Sequence, residues 1–211
     1  MADEELGFTH RFEPGSSRSG PTLLLLHGTG ADENDLLPLG RSLAPEANLL
    51  SPRGKVLENG ARRFFRRFAE GVLDVEDLKA RAHELAAFVE RAAVAFELDP
   101  KSVIAAGYSN GANIAGGLLL LHPHLLRAAA LFRPMVPFEP DEMPDLSGVP
   151  IFIAAGRTDQ IVPPEDTAKL AGMLESAGAE VVPHWQPGGH GLDPAEIDAA
   201  ANWLQKIPPS G

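Results

Sequence analysis

A serine, an aspartate and a histidine, in that order and each beside a turn, are the residues of this chain best suited to chemistry. Ser109 stands in Gly107-Tyr108-Ser109-Asn110-Gly111, Asp159 closes Gly156-Arg157-Thr158-Asp159, and His190 lies in Pro187-Gly188-Gly189-His190-Gly191. A hydroxyl is a poor nucleophile until an imidazole takes its proton, and the imidazole needs a carboxylate to fix its tautomer and stabilise the imidazolium. The G-x-S-x-G pattern, after an apolar run and before a small-residue helical stretch, is the grammar of a nucleophile elbow. Its flanking glycines carry no Cβ to clash with strand or helix, so the serine is held out at the head of a helix in strained backbone. The Asn110 N–H opens that helix without an intrahelical partner and can bond an anion forming beside Ser109. A tetrahedral oxyanion needs a second donor. The N–H of Thr29, in His27-Gly28-Thr29-Gly30, is the candidate.

Other acids and imidazoles compete for these roles. Asp193 is near His190, but Pro194 and Glu196 behind it mark a helix N-cap. Asp99 lies at the wrong end of the elbow strand. His10, His83, His122 and His124 read as solvated, and His184 belongs to a strand. His27 is expected to support the loop after it by hydrogen bonding rather than to take part in chemistry.

The elements that must position these residues alternate. Apolar runs at Thr22–Leu26, 47–50, 103–106, Ala128–Phe132 and 149–155 read as strands covered on both faces, with a further strand at 180–185. Helices are expected at 36–43, 75–97, after Ser109, at 164–177 and from Asp193 to about Lys206. The longest carries Leu78, Ala82, Leu85, Val89, Ala93 and Phe96 at spacings of three and four. Such alternation implies an α/β fold with a mostly parallel sheet, in which reactive groups gather outside the carboxyl ends of the strands. Residues 8–12 suggest an edge strand, residues 51–74 an irregular insert, and residues 207–211 a tail. One domain is expected over residues 1–211.

Eighteen Lys and Arg against 29 Asp and Glu leave a net charge of −11, which disfavours nucleic acid and acidic membrane surfaces. Without cysteine, disulfides, thiolate metal sites and a cysteine nucleophile are excluded together. No H-E-x-x-H or comparable ligand spacing is present, so neither a metal nor another cofactor is expected. The acidic start, Met1-Ala2-Asp3-Glu4-Glu5, precedes no long apolar run, and the expected location is cytoplasmic, without stable membrane insertion.

The motifs LLLLHGTGADENDLL, GYSNGANIA, AAGRTDQIVP and PGGHGL together resemble the bacterial phospholipase/carboxylesterase family of α/β-hydrolases, small esterases related to acyl-protein thioesterases. The resemblance runs from Thr22 nearly to the end of the chain. It implies an α/β-hydrolase fold, with helices on both faces of the sheet and no large lid, and metal-free hydrolysis of carboxylic esters or thioesters. It assigns Ser109 as nucleophile, Asp159 and His190 as its partners, and the amides of Thr29 and Asn110 as the oxyanion hole. Asn110 stands where acyl-protein thioesterases usually carry Gln, which favours the carboxylesterase branch. The family's corresponding insert borders the active site. Phe64, Phe65 and Phe68, on one side of a short helix, either pin the insert to the domain or wall an acyl pocket; the resemblance favours the wall, and with it short to medium chains. Met135, Val136 and Val162 are expected opposite, and the Arg62, Arg63, Arg66 and Arg67 cluster has no assigned part. The expected partner is a small-molecule ester, and a homodimer stays open. Alternatives are a lysophospholipase or acyl thioesterase of the same family, a non-catalytic ligand-binding protein of this fold, and a dienelactone hydrolase. That last resemblance calls for cysteine at the elbow.

Overall fold

The computed structural model describes residues 6–208. Residues 1–5, which carry the acidic start, and residues 209–211 of the tail lie outside the described residues. A seven-stranded sheet organises the chain, built from β1 (His10–Glu13), β2 (Thr22–Leu26), β3 (Asn48–Pro52), β8 (Val103–Tyr108), β9 (Ala128–Phe132), β10 (Pro150–Gly156) and β11 (Glu180–Gln186). Their order is β1-β3-β2-β8-β9-β10-β11. Every pairing is parallel except β1 against β3, so the edge strand expected near residues 8–12 turns the first edge antiparallel. The central strands read as unbroken apolar runs because both faces are covered; every residue of β2 and β9 is buried.

The helices are α1 (Leu37–Leu43), α2 (Val75–Phe96), α3 (Asn110–Leu121), α4 (Pro164–Ser176) and α5 (Pro194–Leu204). They cover both faces of the sheet, as the sequence predicts. Leu78, Leu85 and Val89 of α2, Leu118 of α3 and Leu170 of α4 share one core layer with Leu24, Ala105, Leu131 and Ile153. Leu39 and Leu43 of α1 and Ala200 of α5 share the other with Leu25, Ala106 and Phe152. The stripe along α2 thus meets the sheet and α3. Its start is capped by Asp74, whose side chain accepts from the Asp77 N–H at 3.1 Å and so satisfies a donor the first turn leaves free.

The irregular insert expected over residues 51–74 holds no short helix at Phe64, Phe65 and Phe68. It forms two hairpins, β4 (Val56–Glu58) with β5 (Ala61–Arg63) and β6 (Arg67–Ala69) with β7 (Val72–Leu73). The reason is local. Asn59 and Gly60 have positive φ, 51° and 85°, as a two-residue type I′ turn requires. Gly71, at φ 74°, closes the second ribbon. Strand geometry then separates side chains that a helix would have put on one face. Phe64 and Phe65, between the hairpins, are buried in the core, while Phe68 on β6 is 76% exposed. Burying each of the first two stabilises by about 1.5–3 kcal/mol, which pins the insert to the domain. Among the described residues, no helix is long and apolar enough to cross a membrane.

Candidate active site

Four loops that leave the carboxyl ends of β2, β8, β10 and β11 converge on one place. Ser109 follows β8 directly, with φ 53° and ψ −113°, a conformation few side chains adopt. The surroundings impose it. A Cβ on Gly111 would lie 1.8 Å from the Leu26 carbonyl oxygen, and one on Gly107 would lie 2.5 Å from the Gly111 oxygen. Strand and helix therefore meet at a distance only glycine permits. The Ser109 N–H donates to Phe132 O at 2.8 Å, and Ser109 O accepts from the Asn113 N–H at 3.0 Å, tying the elbow to β9 and to the first turn of α3.

The Ser109 hydroxyl lies 2.9 Å from His190 Nε2, and His190 Nδ1 lies 2.8 Å from Asp159 Oδ2. Asp159 Oδ1 accepts from the Ile161 and Val162 N–H groups at 2.9 and 3.0 Å, so the carboxylate has both oxygens occupied and one orientation. Its side chain is buried while that of His190 is 18% exposed, which leaves the imidazole open to the cleft. In this arrangement the carboxylate selects the tautomer with the proton on Nδ1, leaving Nε2 free to accept from the serine hydroxyl. Asp193 caps α5 through a capping box with Glu196, so its helix-cap reading holds.

The loop after β2 brings Thr29 to the same cleft. The Gly30 N–H donates to Arg62 O at 2.8 Å and Arg63 Nη1 donates to Thr29 Oγ1 at 2.6 Å, so the insert fixes this loop from the side. His27 fixes it from beneath: Nε2 accepts from the Gly54 N–H at 2.9 Å, which puts the proton on Nδ1, and that donates to Gly28 O at 2.7 Å. Burial pulls the His27 imidazole below its ordinary value, against the opposing pull of the Gly28 carbonyl and of Asp35, Asp32 and Glu33, because a low-dielectric site disfavours the charged form. Asn110 joins elbow to insert through Oδ1, which accepts from the Phe64 N–H at 2.7 Å.

The cleft beside Ser109 has a volume of about 280 Å³. It is lined by Arg63 and Arg67 of the insert, Met135 after β9, Ile161 and Val162 after Asp159, and Asn113 of α3. Met135 and Val162 border the cleft. Val136 packs against the core instead, and Phe64, Phe65 and Phe68 do not line the cleft, for the backbone reason given above. The wall expected to be phenylalanine is arginine. Glu58 sits beside both guanidiniums, 3.5 Å from Arg63 Nε and 2.9 Å from Arg67 Nε. Burial and the neighbouring Arg67 lower the Arg63 pKa, with Glu58 opposing. The unread signal for this wall is the dipeptide Asn59-Gly60, whose residues suit a two-residue type I′ turn. Among the described residues, no group of three or more His, Asp or Glu is placed to hold a metal ion.

Comparison with known proteins agrees with this architecture. The dienelactone hydrolase family model matches residues 63–201, a span that holds the elbow, Asp159 and His190. The chain belongs to the dienelactone hydrolase family. Cysteine at the elbow is therefore no condition of membership, since Ser109 occupies that position here. Over 197 residues the chain is 46% identical to MhqD of Bacillus subtilis (strain 168), which carries the provisional description of a hydrolase; 93% of this chain and 98% of that protein are covered. The Bacillus cereus carboxylesterase superposes with a TM-score of 0.95 at 45% identity, over 98% of this chain and 97% of that one. A carboxylesterase from Mesorhizobium loti does so with a TM-score of 0.87 at 35% identity, over 96% of each chain. The protein is a hydrolase of the dienelactone hydrolase and carboxylesterase type with the α/β-hydrolase fold.

Proposed function

We propose that this member of the dienelactone hydrolase family is a serine carboxylesterase acting on small carboxylic esters through an acyl-enzyme. The observation that carries the reading is the unbroken chain Ser109 Oγ, His190 Nε2, His190 Nδ1, Asp159 Oδ2, with contacts of 2.9 and 2.8 Å. Ser109 Oγ attacks the ester carbonyl carbon as its proton passes to His190 Nε2, and the carbonyl oxygen becomes an oxyanion. The amides of Thr29 and Asn110 hold that oxyanion, and Asp159 stabilises the imidazolium. As the tetrahedral species collapses, the C–O bond to the alcohol breaks and His190 returns its proton to the leaving oxygen. Water then repeats the sequence against the acyl group, with His190 as base, and releases the acid and free Ser109.

The cleft's size and lining support a narrower reading of the substrate. A volume of about 280 Å³ lies at the small end of ligand pockets, and Arg63, Arg67 and Asn113 favour a short, polar acyl group over a long alkyl chain. The test compares wild type with Ser109→Ala on p-nitrophenyl acetate. The expected kcat falls by roughly 10⁴-fold or more in a variant with an unchanged circular dichroism spectrum. Undiminished hydrolysis by purified Ser109→Ala would refute the proposal.

A further inference from the structure

The loop that presents His190 is Gly188-Gly189-His190-Gly191, a sequence with little intrinsic preference for any one conformation. It is nevertheless held at three successive carbonyls, all by side chains from outside the loop. Gly189 O accepts from Arg133 Nε at 3.0 Å, His190 O from the Tyr108 hydroxyl at 3.0 Å, and Gly191 O from Arg133 Nη2 at 2.5 Å. A longer bond from Gln186 Nε2 also reaches Gly189 O, at 3.4 Å; Tyr108 and Arg133 are neighbours of the nucleophile. Tyr108 precedes Ser109, and Arg133 follows Phe132, whose carbonyl takes the Ser109 N–H.

Arg133 has no exposed surface and sits at φ 57°, with its N–H donating to Ala154 O at 2.8 Å. Its remaining donors meet Glu196, equally buried: Nη1 to Oε2 at 2.7 Å and Nη2 to Oε1 at 2.8 Å. Glu196 in turn accepts the Asp193 N–H at 2.7 Å, closing the far end of the same loop. A buried ion pair is on average no more stabilising than well-packed apolar residues of the same volume, so stability alone gives little reason for this one. A planar guanidinium does something apolar packing cannot: it fixes two carbonyls on either side of His190 in one plane and leaves the imidazole itself unencumbered.

We propose that Arg133, neutralised by Glu196, is the positioning residue for His190, setting the Ser109–His190 distance through the path Ser109, Phe132, Arg133 and the Gly189 and Gly191 carbonyls. The proposal rests on the serine-esterase reading. Two variants test it without leaving a buried charge unpaired. Arg133→Lys keeps a cation against Glu196, but a single ammonium cannot serve both carbonyls in the guanidinium's geometry; the double variant Arg133→Met with Glu196→Gln removes both charges.

In each folded variant, kcat for p-nitrophenyl acetate is expected to fall about ten- to a hundredfold with KM changed by less than about twofold, the signature of misplaced machinery rather than lost binding. The second readout is the downfield proton NMR resonance of His190 Nδ1–H, assigned by its loss in His190→Asn. It is expected to be sharp in the wild type and broadened or absent in the variants. A folded variant that keeps wild-type kcat, or that loses kcat while the resonance stays sharp, overturns the proposal. Should neither variant fold, Arg133→Gln with Glu196→Gln places two neutral amides at the same sites; it is expected to broaden the resonance and lower kcat about tenfold, and wild-type values of both would overturn the proposal. A wild type that hydrolyses no ester would sink the esterase reading, whereas the resonance comparison would still decide whether Arg133 orders the imidazole.

Discussion

Replacing Ser109 in two ways separates the chemistry of the elbow from its strain. At φ 53° and ψ −113°, a residue with a Cβ carries of order 1–3 kcal/mol of backbone strain. Ser109→Ala removes the hydroxyl but keeps the Cβ, so the strain remains. Ser109→Gly removes both, and glycine's extra freedom in the unfolded chain returns only about 0.5–1 kcal/mol of the gain. The glycine variant is therefore expected to be the more stable of the two by about 1 kcal/mol. For a chain of 211 residues that is a rise of about 2–4 °C in Tm. Both variants lose the hydrogen bond to His190, so the comparison cancels that contribution. Parallel denaturant titrations and calorimetry would measure the difference, with hydrolysis expected to be lost equally in both. An alanine variant as stable as the glycine variant, or more so, would refute the claim that the elbow stores strain.

Other perturbations have expected outcomes of their own. Asp159→Asn removes the carboxylate that fixes the His190 tautomer, and kcat should drop by roughly 10⁴-fold with the fold intact; steady-state kinetics on p-nitrophenyl acetate checks it, and a loss below tenfold would contradict the assigned role. Gly111→Ala drives a Cβ into the Leu26 carbonyl at 1.8 Å, backbone against backbone, so a loss of at least about 3 kcal/mol is expected in urea unfolding. His27 binds a proton more readily unfolded than folded, because burial lowers its native pKa. Between its native pKa and the ordinary value near 6.5, stability should therefore rise with pH and be lost as pH falls. The non-titrating His27→Gln keeps an acceptor for Gly54 and should show a flatter dependence when both proteins are unfolded at pH 7 and pH 5. Across p-nitrophenyl esters from acetyl to palmitoyl, kcat/KM should peak among the shortest chains; a steady climb to palmitoyl would exclude the compact cleft as the acyl site.

What could be read from the sequence follows from how local the relevant physics is. Ser109, Asp159 and His190 were legible because each follows a strand whose carboxyl end must face the same edge of a parallel sheet. Asp193 was legible as a cap because its three successors spell one. The long helix stood out through the spacing of Leu78, Ala82, Leu85 and Val89. The insert failed because the Phe64, Phe65 and Phe68 spacing fits a helix face, whereas Asn59-Gly60 commits the chain to a hairpin before that spacing can act. Its phenylalanines went to the core or to solvent, and Arg63 and Arg67 took the cleft wall. Arg133 carried no legible signal at all. Its meaning depends on Glu196 and on two glycine carbonyls that only the folded sheet brings to it.

The most direct measurement is covalent trapping of the nucleophile. The purified protein, treated with a fluorophosphonate and analysed by intact mass and peptide mapping, is expected to gain a single adduct on Ser109 as esterase activity disappears. The adduct should be absent in Ser109→Ala and much slower to form in His190→Asn. An unmodified Ser109 in protein that still hydrolyses esters, or an adduct on another residue that abolishes activity, would contradict the central claim.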